Sequence, residues 1–187
     1  MVYKIIMKQI NKYIVERLHI NKDTGNYDHH YNYHPKTRDE LKELVKKLIK
    51  ERGNDVDLND IDTSEITDMS GLFYRSKFNG DISKWDVSNV KNMGVMFAWS
   101  KFTGENGYIS EWDVSNVEDM RYMFYKSPFN GDISQWDVSN VQNMYMMFYG
   151  SSFNGDISSW NVSNVKDMDY MFVYSSLEKN PPKWYTK

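Results

Sequence analysis

The chain has 187 residues, 40% hydrophobic and 26% charged, with a formal net charge of −3 and no cysteine. That length holds one sizeable domain with a small appendage, and the missing cysteine excludes disulfides, cysteine-ligated zinc and a thiol nucleophile. Charge is divided unevenly: residues 1–57 carry 12 Lys and Arg against 9 Asp and Glu, a net of +3, and residues 58–187 carry 11 against 17, a net of −6, which makes nucleic acid an unsuitable partner for the second part.

Residues 1–35 read as an N-terminal appendage. Ile6, Ile10, Ile14 and Leu18 recur every four residues in a basic stretch. This predicts an amphipathic helix that docks on a partner groove or a membrane surface, or one that packs on the rest of the chain. No apolar run is long enough for a signal sequence, and none approaches the ~18 residues of a membrane span. The expected location is therefore the cytoplasm or a viral or phage particle. His29, His30 and His34 cluster in DHHYNYH. Imidazoles at such spacing can hold zinc, but the polar surroundings, without cysteine or an HExxH helix, favour a solvated loop. No cofactor or metal is expected.

Residues 36–57 predict a capping helix. Thr37-Arg38-Asp39-Glu40 is a capping-box start, Leu41, Leu44, Val45, Leu48 and Ile49 make one apolar face, and Gly53 follows as a stop.

From residue 58 onward the chain repeats. WDVSNV begins at Trp85, Trp112 and Trp136, and WNVSNV at Trp160, at spacings of 27, 24 and 24 residues. Stepping back 24 residues from Trp85 reaches Ile61, and stepping forward 24 from Trp160 reaches Trp184. Five coils of about 24 residues result, the second enlarged by three residues around Glu105–Gly107 and the last passing into a degenerate cap. Each coil places apolar residues in fixed columns, for instance Ile109, Trp112, Val114, Val117, Met120, Met123, Phe124 and Phe129. Alternation at Trp and Val predicts a short strand, and the steps of three and four that follow predict a helical or 3₁₀ turn. Asn-Gly or Thr-Gly at 79–80, 103–104, 130–131 and 154–155 should supply a positive-φ corner. One unit cannot bury its apolar face alone; stacked units can, at the roughly 4.8 Å spacing of neighbouring strands. Pro181-Pro182 should blunt the last strand.

The segment Phe78–Phe97, FNGDISKWDVSNVKNMGVMF, resembles the repeats of BspA-like leucine-rich-repeat proteins, including the roughly 25-residue repeats of Mycoplasma surface lipoproteins. The resemblance implies an α/β-type repeat solenoid: a right-handed leucine-rich-repeat superhelix over residues 58–187, with parallel strands, short helical or 3₁₀ turns and an N-terminal capping helix. It also implies adhesion or protein–protein binding and, for surface members, a cell-surface location; this chain has neither their signal peptide nor their lipobox cysteine. Similar repeats occur in phage and large-virus proteins.

Two sets of columns are candidate sites. Asp86, Asp113, Asp137 and Asn161 share one position, Ser88, Ser115, Ser139 and Ser163 a second, and Asn89, Asn116, Asn140 and Asn164 a third. Such oxygen ladders suit calcium, and they equally suit turn backbone. Val95, Tyr122, Met146 and Tyr170 occupy a variable position between the two Met columns, and Tyr74, Ala98, Tyr125, Tyr149 and Val173 the position after Phe. Trp99 and Tyr174 break a column that otherwise holds Arg75, Lys126 and Gly150. Exposed residues of these types mark interfaces or a carbohydrate platform.

No Gly-rich phosphate loop, G-x-S-x-G elbow or supported Ser–His–Asp set is present, so the chain is not expected to be an enzyme. The expected function is protein–protein binding through the array. The alternatives are a structural subunit of a virion or surface layer docked through Ile6–Leu18, self-association into a homo-oligomer included, and a glycan-binding adhesin.

Overall fold

The computed structural model describes residues 31–185. Tyr33–Lys187 make one compact unit, distinct from the residues before it. The expected docking helix with Ile6, Ile10, Ile14 and Leu18 lies outside the described residues, as do His29 and His30.

Helix α1 spans Arg38–Arg52 and is the one helix among the described residues. Thr37 Oγ1 accepts the Glu40 N–H at 3.3 Å, Glu40 reaches back to the Lys36 N–H at 2.7 Å, and the Gly53 N–H closes the last turn on the Ile49 carbonyl. Leu41, Val45 and Leu48 are buried against the first repeat and belong to its core. Arg38 Nε donates to the Ser70 carbonyl at 2.8 Å, satisfying one acceptor that has no repeat before it to pair with.

The remainder is a stack of turn-rich repeats. From Met93 to Ser100 the backbone N–H groups split into two alternating sets. Those of Met93, Val95, Phe97 and Trp99 donate to Asp119, Arg121, Met123 and Tyr125 in the next repeat, at 2.8–2.9 Å. Those of Met96, Ala98 and Ser100 turn back onto Met93, Val95 and Phe97 in their own repeat. The following repeat copies the pattern, with Met120, Tyr122, Phe124 and Lys126 donating to Asn143, Tyr145, Met147 and Tyr149.

This arrangement corrects the expected architecture. The described residues contain no strand and no sheet, and repeat contacts register as isolated parallel bridges such as Asn92↔Asp119 and Asn143↔Asp167. A leucine-rich-repeat solenoid with parallel strands is therefore not what this chain forms. The physical reason lies in the direction of the bonds: between Met93 and Trp99 each inter-repeat N–H donates to the following repeat and none returns, whereas a parallel ladder exchanges bonds both ways, and the Met96, Ala98 and Ser100 N–H groups close four-residue turns instead. The Trp-x-Val segment lies between two turns and forms no strand, since the Trp136 N–H closes a turn on the Ile133 carbonyl before it and the Val141 N–H one on the Val138 carbonyl after it.

The corners differ too. Positive φ occurs at Gly104, but not at Gly80, Gly131 or Gly155. Those three serve close approach: a Cβ on Gly80 would lie 2.0 Å from the Val56 carbonyl oxygen, and on Gly155 it would strike the Phe153 ring at 2.8 Å. Left-handed backbone falls instead on Val95, Tyr122, Met146 and Tyr170 in one column and on Arg75, Trp99, Lys126 and Tyr174 in another.

The core is columnar. Phe73, Phe97, Phe124, Phe148 and Phe172 form one file with ring centroids 5.4–5.9 Å apart, and Phe78, Phe102, Phe129 and Phe153 a second at 5.9–6.2 Å. All nine are fully or almost fully buried, each contributing roughly 1.5–3 kcal/mol of burial. Pro181-Pro182 lies outside any strand, and Trp184 completes the tryptophan column by stacking on Trp160 at 6.4 Å.

Candidate interaction surface

The left-handed residues position the surface. For a residue with a Cβ that conformation costs roughly 1–2 kcal/mol, so something must hold it. Here the neighbouring repeat does: Arg75 donates its N–H to the Ala98 carbonyl at 3.0 Å, Trp99 to Tyr125 at 2.9 Å and Lys126 to Tyr149 at 2.8 Å. None of the eight non-glycine left-handed residues is buried, whereas the residues between them, such as Met96, Phe97, Met123 and Phe124, are fully buried. Strained backbone thus carries the exposed side chains, an association that marks functional surfaces in proteins generally.

Surface rings, exposed at Trp99, Tyr170 and Tyr174 and half-buried at Tyr122, Tyr125, Tyr145 and Tyr149, touch in a continuous strip. Trp99 meets Tyr125 at 5.9 Å, Tyr125 stacks on Tyr149 at 5.1 Å and 11°, and Tyr149 meets Tyr174 edge-on at 5.3 Å. A branch runs from Tyr125 to Tyr122 at 5.6 Å, then through Tyr145 to Tyr170 at 5.2 and 6.1 Å. Tyr74 joins through a cation, because the Arg75 guanidinium lies 5.2 Å from its ring and 6.0 Å from that of Trp99. Lys126 Nζ sits 4.4 Å from the Trp99 ring and 5.6 Å from Tyr125. The structure therefore gathers seven of the eight expected surface residues; Val95 shares the left-handed column but is half-buried and makes no ring contact.

Sequence reasoning missed Tyr145, which links the branch, and it gave no role to Arg75 and Lys126. The signal for Tyr145 was weak: its column holds Ser70, Gly94, Arg121 and Asp169 elsewhere. The Tyr145 and Tyr149 hydroxyls are held above the usual phenol range by desolvation first, then by Tyr122 at Tyr145 and by Tyr174 at Tyr149. Both phenols therefore stay neutral at physiological pH and can donate hydrogen bonds.

The polar columns are engaged in the fold. Asp86, Asp113 and Asp137 each accept the N–H of the serine two residues on at 3.0–3.1 Å, as Asn161 does at 3.2 Å. Asn89, Asn116, Asn140 and Asn164 donate Nδ2 to a serine carbonyl of the preceding repeat at 2.7–2.8 Å. Among the described residues no group of three His, Asp or Glu is placed to hold a metal ion. His34 Nδ1 lies 3.2 Å from Asp62. No helix among the described residues is long and apolar enough to cross a membrane.

No curated protein and no solved structure matches the chain. One family profile does, over residues 40–128 and again over 99–187. With its repeats matched from residue 40 to residue 187, the chain belongs to the family described as Mycoplasma protein of unknown function, DUF285.

Proposed function

We propose that this chain is a non-enzymatic protein-binding module whose contact surface is the aromatic strip from Trp99 to Tyr174. The observation that carries the reading is the unbroken run of ring contacts along the surface of four successive repeats, exposed at its Trp99 and Tyr174 ends and half-buried between. Tyrosine and tryptophan present large contact area with few rotatable bonds and are enriched at binding hot spots. Regular inter-repeat hydrogen bonds fix the strip before a partner arrives, which lowers the ordering cost of association. The resemblance of the repeat motif to BspA-like proteins, implicated in adhesion and protein binding, points the same way.

The glycan reading is less well supported. A sugar stacks on a free ring face, but Tyr125 and Tyr149 cover each other's faces and Lys126 lies over the ring of Trp99. What the strip offers is ring edges and phenol hydroxyls, which suit a protein surface better.

The test is affinity capture from the native source with the full chain and with Trp99→Ala/Tyr149→Ala, both shown to melt cooperatively. A protein retained by the first and lost by the second supports the reading. Equal retention of the same protein by both contradicts it.

A further inference from the structure

Charge around the strip is segregated. Residues 69–80, 93–104, 120–131 and 144–155 form the same part of four successive repeats, and together they contain no Asp or Glu but five cations: Arg75, Lys77, Lys101, Arg121 and Lys126. Residues 58–187 hold 17 Asp and Glu, so every one of these carboxylates lies outside that band. The fifth copy of this part, residues 168–179, holds Asp169 and Glu178, and Glu178 accepts the Tyr174 N–H at 3.2 Å, so the carboxylate-free band covers the first four repeats and, along the strip, ends at Tyr149.

Four of the five cations cluster. Arg75 and Lys126 flank Trp99 from the repeats before and after it, in one register column. Lys77 and Lys101 share the column two residues on, in neighbouring repeats joined by the Lys101 N–H on the Ser76 carbonyl at 3.0 Å. None of these four makes an ion pair among the described residues, whereas Arg121 is paired with Asp119 at 2.6 Å. Exposed cations resting on aromatic rings remain available to an incoming anion, since the ring quadrupole holds a solvated cation only weakly.

Resting on the binding reading above, we infer that the strip takes an acidic segment of a protein partner, one with carboxylates beside an aromatic or aliphatic residue. The carboxylates pair with Arg75 and Lys126, and the apolar neighbour covers the edges of Trp99 and Tyr125. The carboxylates of the other repeat turns repel the same segment from the rest of the array, so charge orients the encounter there as well as strengthening it. Those carboxylates also disfavour a nucleic-acid backbone, whose charge extends past the band on both sides.

The experiment uses the full chain and a fluorescent random copolymer of glutamate and tyrosine, followed by anisotropy at about 50 mM salt. Binding is expected to weaken at least about tenfold for Arg75→Glu/Lys126→Glu and severalfold for Arg75→Gln/Lys126→Gln, which guards against misfolding of the reversal. Lys47→Glu/Lys166→Glu, the same charge change at exposed positions outside the band, should stay within about twofold, and about 300 mM salt should weaken the wild type. No binding of the copolymer, or equal loss in both reversed variants, overturns the inference. So does binding to phosphatidylserine vesicles or poly(dT) in its place. A captured partner lost by Trp99→Ala/Tyr149→Ala but kept by Arg75→Gln/Lys126→Gln leaves the interface standing and removes the acidic class.

Discussion

The indole nitrogen of Trp136 donates to the carbonyl of Ile109, 27 residues earlier, at 2.9 Å. Every tryptophan of the column makes this bond to the preceding repeat: Trp85 to Leu58, Trp112 to Ile82, Trp160 to Ile133 and Trp184 to Ile157. One side chain therefore fills the core and pairs a backbone acceptor that the turn-rich backbone leaves without a ladder partner. Substituting Trp136→Phe keeps most of the ring but removes the indole donor, leaving the Ile109 carbonyl only its turn bond from the Trp112 N–H at 3.3 Å. The expected cost is about 0.5–1.5 kcal/mol, read from urea denaturation with an unchanged slope.

A second prediction concerns the strained column. Val95 is β-branched and held at φ 63°, while Gly71 occupies the same column at φ 60°. Val95→Gly should stabilise the chain by up to about 1 kcal/mol, because relief of the left-handed strain outweighs the added freedom of the unfolded chain. In the next column Gly150 sits at φ 61° with a hypothetical Cβ 3.1 Å from the Lys126 side chain. Gly150→Ala should destabilise by about 1 kcal/mol or more. Thermal melts of the two variants should move in opposite directions.

The aspartates of the repeat turns set the acid limit. Asp132 and Asp156 are held below the usual carboxylate range first by the N–H and then by the hydroxyl of Ser134 and Ser158; at Asp137 the Ser139 hydroxyl leads and its N–H follows. A folded-state value below the unfolded one means the unfolded chain binds more protons in between. Their contribution is therefore complete above about pH 4 and disappears as pH falls through the folded-state values. Asn161 already fills the same role, accepting the Ser163 N–H at 3.2 Å. Replacing Asp132, Asp137 and Asp156 together by Asn should leave the fold intact and flatten the fall of Tm below about pH 4.

The asparagine column offers a milder test. Asn140 Nδ2 donates to the Ser115 carbonyl at 2.7 Å on the exposed side of the stack. Asn140→Ala should cost about 0.5–1.5 kcal/mol, with hydrogen exchange quickening locally in residues 115–141.

The 24-residue frame was legible because large side chains recur in it. Trp, Met and Phe cannot occupy solvent at five successive registers, so their columns had to face a shared core. What the sequence did not display is the backbone path between them. Val95, Tyr122, Met146 and Tyr170 are poor markers of a left-handed conformation, and the alternation at Trp112 and Val114 imitates a strand. A hint was available: Gly71 and Gly150 stand in the two columns that prove left-handed, whereas attention went to Gly80, Gly131 and Gly155, whose role is close approach. The strip was half legible for the same reason. Trp99 and Tyr174 stood out by breaking a column, but the placing of Arg75 and Lys126 over the rings depends on register across repeats.

The central claim is that a protein partner docks on the aromatic strip, and two exposed tyrosines provide the most direct measurement. Tyr174 lies in the strip and is 73% exposed; Tyr108 directly follows the three-residue enlargement of the second repeat, is 68% exposed and makes no ring contact among the described residues. A benzoylphenylalanine cross-linker is placed at each position in turn in the full chain and irradiated in extract from the native source. The account predicts one discrete adduct from position 174 and none of that mass from position 108. The same adduct from both positions, or from position 108 alone, would contradict it.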